Sequence, residues 1–184
     1  MLAGGRASRF GGINKSLIEI DGVSIISRTV ALLDPLFREI ILAGWPAGSP
    51  VPQGVLTVDD NFPGIGPLAG IEAAMKASSA PLLFVFGGDM PWLSEELIRI
   101  QAEDSLNEPV DILAARTGGL TEPLHSIYSC SIHEHLEMYI REGGSPAIID
   151  FFQQVRTRYY DMPHTTKTEW AFTNINRPED LLPG

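Results

Sequence analysis

One cysteine, Cys130, stands in the whole sequence, which excludes an intramolecular disulfide and a cysteine-cluster zinc site. A lone thiol suits a reducing cytoplasm. Long apolar runs are missing too. The longest, such as residues 82–86, fall far short of the ~18 residues that a membrane-spanning helix requires. The amino terminus has no basic region followed by an apolar stretch, so a secretory signal is not supported. Cations are scarce: 13 Lys and Arg stand against 23 Asp and Glu, for a net charge of −10. That balance disfavours a general nucleic-acid surface, which needs clustered Lys and Arg on the phosphates. Internal repeats and low-complexity tracts are absent. So is any Ser/His/Asp arrangement or metal-spaced histidine pair, since His133 and His135, two apart, suit neither face of a helix.

What is present is an ordinary globular composition, 44% apolar and 20% charged, which argues against disorder. The 184 residues match a single domain, 1–184. The 18 glycines and 14 prolines predict many loops with special backbone geometry. Apolar runs at 39–42, 55–58, 82–86 and 112–115 read as short buried strands. Stretches 24–33, 67–77, 94–102, 131–142 and 146–155 read as helices, with Pro67 and Pro146 placed in first turns. Residues 125–128 and 157–162 suit antiparallel or edge strands. The alternation predicts an α/β fold with a mostly parallel central sheet, and such sheets bind ligands beyond the carboxyl ends of their strands. Only Met1, Leu2 and Ala3 precede the first glycines. The first strand is therefore either very short or begins upstream of this sequence.

Residues 1–15 hold Arg6, Arg9, Lys15 and four glycines, with no acid before Glu19. Glycine amides approach an anion closely, Arg forks onto phosphate oxygens, and Lys adds a mobile charge. The chemistry suggested is triphosphate binding; a solvated glycine-rich tail is the alternative. It is not a P-loop, because Asn14 rather than Gly precedes Lys15. Gly64, Gly66 and Ala69 match the dinucleotide pattern G-x-G-x-x-A, but five residues separate them from the strand, and Pro67 removes a helix-terminal amide. Asp59 and Asp60 there either cap the helix or meet solvent. Gly87-Gly88-Asp89 places a carboxylate directly after the most apolar strand, with glycines that leave room beside it. Such a carboxylate can hold Mg2+, an oxygen-seeking ion that bridges to substrate phosphates. Ser94 lies nearer the next helix as its cap, which leaves Asp89 spare. Glu122 with His125 can line a second pocket, and Asn174 or Asn176 offers an amide oxygen.

Taken together, four stretches resemble the MobA-like nucleotidyltransferases. They are Leu2-Ala3-Gly4-Gly5 with Ser8-Arg9 through Lys15, Asp60 with residues 66–70, Gly88-Asp89-Met90-Pro91, and Asn174-Ile175-Asn176 with residues 178–181. They follow in the family's order over essentially the whole chain. The resemblance implies a three-layer Rossmann-like nucleotidyltransferase fold. It implies transfer of GMP from GTP to molybdopterin with release of pyrophosphate, Mg2+ as cofactor, and transient contact with other proteins of molybdenum cofactor synthesis. By the same resemblance, backbone groups of Leu2, Ala3, Gly4 and Gly5 meet the nucleotide, and Arg9 and Lys15 hold phosphates. Asp60 contacts the nucleoside, and Asp89 and Asn176 bind the metal. Ala43 stands where the family can carry a nucleotide-contacting Asn. Rival readings are a related cytidylyl- or sugar-phosphate nucleotidyltransferase, a dinucleotide-dependent oxidoreductase resting on residues 64–69, and a non-catalytic GTP-binding protein.

Overall fold

A computed structural model describes residues 1–3 and 15–175. The strands are β1 (Glu19–Ile20), β2 (Val23–Ser24), β3 (Ile40–Ala43), β4 (Val55–Val58), β5 (Leu82–Phe86), β6 (Ile112–Thr117), β7 (Leu120–Ser129) and β8 (Thr157–Asp161). The helices are α1 (Ile25–Leu33), α2 (Pro67–Ala77), α3 (Glu95–Asn107), α4 (His133–Arg141), α5 (Ile148–Phe152) and α6 (Thr166–Ala171).

The order across the sheet is β4, β3, residues 1–3, β5, β7, β6, β8. β7 runs antiparallel to both its neighbours, and the other segments are parallel. The mostly parallel sheet expected from the alternation is therefore present. Residues 1–3 take its centre: Leu2 N–H donates to Phe86 O (2.9 Å), Ala3 N–H to Ala43 O (2.9 Å), and Ala43 N–H to Met1 O (3.0 Å). The amino group of Met1 donates to Ile41 O at 2.9 Å, and its burial pushes its pKa down to about 5. An apolar cavity of about 170 Å³ lies between β3 and β5, lined by Met1, Phe37, Ile40, Leu82 and Phe84.

α2 packs on the sheet through Leu68, Ile71 and Met75, each with almost no exposed surface. Burying each contributes roughly 1.5–3 kcal/mol. α4 in turn packs on α2, with Leu136 and Ile140 buried one turn apart. Strands expected at 55–58 and 82–86 form with those bounds, and 39–42 shifts by one residue. The last helix of the 146–155 stretch is shorter than its apolar pattern suggests. Pro146 lies ahead of the helix because Ser145 Oγ, which also bonds Asp150, accepts from Ala147 N–H (3.3 Å). The β1–β2 hairpin is an element the periodicity does not show. Its Asp21-Gly22 turn, with φ of 53° and 75°, carries the type I′ signature.

His125 belongs to the core rather than to a pocket. Its Nδ1–H donates to Gln101 Oε1 (2.8 Å), Gln101 Nε2 donates to Leu113 O (3.0 Å) and His125 O (3.2 Å), and the ring sits between Phe84 and Phe172. Burial lowers its pKa from 6.5 to about 4. Between those values the unfolded chain binds the proton and the folded chain does not, so stability falls as pH falls. At ~1.4 kcal/mol per pH unit the loss is about 3 kcal/mol. Denaturant titrations from pH 7 to pH 4 are expected to show this slope. His125→Asn, which takes no proton, removes the His125 share of that slope.

Candidate active site

The chain turns sharply after β5. Gly88 N–H donates to Leu2 O (2.8 Å) and Ser16 Oγ donates to Gly88 O (3.2 Å), so the turn is bonded to both Leu2 and Ser16. A Cβ on Gly88 would lie 2.8 Å from Leu2 O and 3.0 Å from Ser16 Oγ; one on Gly87 would lie 2.7 Å from Asp89 Oδ1. Gly88 serves close backbone approach to Leu2, and Gly87 leaves room for the Asp89 carboxylate, as the sequence suggests. Ser94 caps α3, accepting from Leu97 N–H (3.4 Å), so Asp89 is spared capping as expected. The Asp89 side chain is 32% exposed, accessible to a ligand, and its Oδ2 lies 3.6 Å from Lys15 Nζ. Lys15 Nζ also donates to Ile175 O (2.7 Å), and Ile175 N–H donates to Asp89 O (2.8 Å). Lys15, Asp89 and the 174–175 segment are thereby one unit, drawn from three distant parts of the chain.

Asp60 comes to the same rim from the end of β4. A Cβ on Gly70 would meet Leu2 Cδ2 at 3.0 Å, Ala43 Cβ at 3.3 Å and Asp60 Oδ1 at 3.6 Å. Only glycine in α2 lets these groups converge. Asp60 Oδ1 is buried with no hydrogen-bond partner, and burial, with the neighbouring Asp59 charge, raises its pKa. Asp60 does not cap α2, whose N-cap is Gly66 with no side-chain bond.

Leu2 takes a different part from the one expected of it. Its N–H and C=O are both used inside the sheet, as is the N–H of Ala3. Leu2 therefore has no free backbone N–H to offer a nucleotide. Gly4, Gly5, Arg6, Arg9 and Asn176 lie outside the described residues.

Glu122 arrives by a route that sequence spacing does not display. β6 and β7 shift register between Ala114 and Ala115, so that Ala115 faces Glu122 while Ala114 faces Ser126. The bulge absorbs Pro123, which has no N–H to give a ladder. Glu122 Oε1 accepts the freed Leu124 N–H (3.1 Å). Burial raises the Glu122 pKa, the Leu124 N–H partly offsets it, and the Asp89 charge raises it further. Glu122 thus stands in the field of Asp89. Asn174 Oδ1 is buried without a partner. Three ligand groups come within 4.8 Å of one another at Glu72, His133 and Glu137, between α2 and α4; the group does not include Asp89.

A mostly parallel sheet with a Lys–carboxylate pair at its carboxyl rim defines an α/β domain with a candidate ligand site at the ends of its strands. The chain belongs to the family of MobA-like NTP transferase domains, whose model matches residues 1–157. A Pelotomaculum thermopropionicum protein named probable molybdenum cofactor guanylyltransferase is 33% identical over 185 residues, 99% of this chain and 88% of its own length. The molybdenum cofactor guanylyltransferase of Vibrio atlanticus is 31% identical over 188 residues, 98% of this chain and 91% of its own. Among solved structures, molybdopterin-guanine dinucleotide biosynthesis protein A from Archaeoglobus fulgidus has the same fold. It matches with a TM-score of 0.79 at 24% identity, over 98% of this chain and 92% of that one. The 2-C-methyl-D-erythritol 4-phosphate cytidylyltransferase of Thermus thermophilus shares the fold at 16% identity and a TM-score of 0.66, over 91% and 90% of the two chains. No described helix is long and apolar enough to cross a membrane.

The Gly88 packing gives a direct test. Gly88→Ala drives a methyl onto the Leu2 carbonyl, a backbone atom that cannot swing aside, and overpacking of this kind costs about 1–3 kcal/mol. The melting temperature is expected to fall by roughly 2–4 °C per kcal/mol, with loss of any nucleotide binding the loop supports.

Proposed function

We propose that this chain, in the cytoplasm, transfers GMP from GTP to molybdopterin and releases pyrophosphate. The observation that carries the reading is the Lys15–Asp89 pair, fastened by Gly88 to Leu2 and by Ile175 at the carboxyl rim of the sheet, in a chain whose relatives are named guanylyltransferases. A terminal phosphate oxygen of the acceptor attacks the α-phosphorus of GTP in line. The bond to the bridging oxygen breaks and its electron pair leaves with pyrophosphate. A phosphate nucleophile is already ionised at pH 7, so no side chain need act as general base.

Lys15, with Arg9, holds the phosphates and stabilises the charge that builds on the departing pyrophosphate. Gly4 and Gly5 supply the amides that Leu2 and Ala3 have committed to the sheet. Asp60 contacts the nucleoside. The donor set at the rim fits Mg2+: the accessible carboxylate of Asp89 and the unpartnered amide oxygen of Asn174 are hard oxygen ligands. Asp89, with Asn176, would hold the ion, which when bound neutralises phosphate charge.

Calorimetric titration of GTP, CTP and ATP with Mg2+ tests the base, and pyrophosphate release with molybdopterin tests the reaction. GTP is expected to bind selectively, and chelation of the metal to stop turnover. Asp89→Asn and Lys15→Ala each slow turnover ~10²-fold or more, the usual loss for an electrostatic stabiliser. Near-normal rates in both variants would sink the assignment, and a preference for CTP would move the chain to the cytidylyl branch.

A further inference from the structure

The loop that carries Asp60 is held from outside the active site. Asn61 Nδ2 donates to Glu72 Oε2 at 2.8 Å. The other oxygen of that carboxylate, Oε1, accepts from His133 Nε2 at 2.8 Å. Glu72 lies in α2 with none of its surface exposed, so both bonds are shielded from water and neither oxygen is left to solvent. One residue further along the loop, the ring of Phe62 packs beneath the Arg141 guanidinium, 5.2 Å from its centroid. Arg141 is in turn fixed by two bonds to Glu137 Oε1. His133, Glu137 and Arg141 are four residues apart in succession and form one stripe of α4.

Glu72, His133 and Glu137 lie close enough to suggest a cation site. Each already has its partner, however: Asn61 and His133 take the Glu72 oxygens, and Arg141 takes Glu137. The cluster reads as a strut. Two neighbouring loop side chains, Asn61 and Phe62, are tied to one helix stripe, and the residue before them is the one whose carboxylate points over Gly70 towards Leu2.

We propose that Glu72 and His133 are positioning residues for Asp60: through Asn61, and with Arg141 on Phe62, they make α4 the element that sets the nucleoside subsite. The inference rests on the guanylyltransferase reading for its ligand, and on the tether geometry for its mechanism. Two readouts keep these apart. The first is hydrogen exchange of the amides of residues 59–65, with no nucleotide present. It is expected to accelerate in His133→Ala and Asn61→Ala while exchange in the central strands stays the same.

The second is GTP affinity and kinetics. Losing a shielded bond to a carboxylate is expected to raise the Kd and KM for GTP about tenfold, with kcat changed less than about twofold. Asn61→Ala and His133→Ala combined are expected to be no worse than either alone, because both act through Glu72. His133→Gln, whose amide can still donate to Glu72, restores most of the affinity. Unchanged loop exchange in His133→Ala overturns the tether. Faster exchange with unchanged GTP affinity in Asn61→Ala overturns the positioning role. An unaltered chain that binds no GTP overturns the guanylyltransferase reading and the nucleotide half of this proposal with it, while the exchange result still decides the tether.

Discussion

The rest of the structure depends on the backbone hydrogen bonds of residues 1–3. They join β3 to β5, and without them the sheet is a pair, β3 with β4, and a separate four-stranded ladder. Each such bond is worth only about 0.5–1.5 kcal/mol net. Their larger effect is geometric. Leu2 sets its carbonyl against Gly88, and thus places the turn bearing Asp89. Its side chain meets Gly70 beside Asp60. One residue therefore touches both the turn that bears Asp89 and the helix position beside Asp60.

Around that centre the small residues are a consequence. Gly70 and Gly88 sit where two backbones or a backbone and a carboxylate must approach within the reach of a methyl group. The bulge in β7 has the same logic in another form. Letting the ladder slip at Pro123 turns Glu122 towards Asp89, and the Leu124 N–H released by the slip is taken up by the carboxylate that moved. Asp60 and Glu122 both have raised pKa values because burial removes water from them. Desolvated carboxylates clustered at a rim that also holds Lys15 make a place where bound charge is felt strongly.

Local chemistry decided what was legible beforehand. The strands at 55–58 and 82–86 are continuous apolar runs flanked by turn residues, and they read directly. Asp89 was legible because Ser94 already explains the start of α3. Asn61, Ser16 and Glu72 were not. Asn61 looks like a loop amide, Ser16 like a turn hydroxyl, and Glu72 like the solvated acid of an amphipathic helix. Their roles come from partners 11 to 72 residues away. Period-3.6 patterning hides Glu72 in particular, because α2 is covered on two sides and buries every residue from Leu68 to Met75. The hairpin at Asp21-Gly22 and the Thr165 cap of α6, which accepts from Thr168 N–H at 3.2 Å, did carry short-range signals. They lie outside the apolar runs, and periodicity weighs apolar runs alone.

A chain of net charge −10 that takes a triphosphate must overcome its own field. At physiological ionic strength that field decays over about 8 Å, so distant acids matter little and the balance is settled within the loop. There the stretch before Glu19 carries Arg6, Arg9 and Lys15 and no acid. Lys15 is not a loose charge: Ile175 O and Asp89 hold its ammonium in place. Part of its field is therefore balanced by the protein itself, which lowers the attraction for a bare anion. The same arrangement favours a ligand that brings its own cation. A metal on Asp89 would neutralise the carboxylate and leave Lys15 to the phosphates. In the proposed reaction a lysine paired with a carboxylate would favour a metal-complexed nucleotide over a free one, with Arg9 adding to the hold on the phosphates.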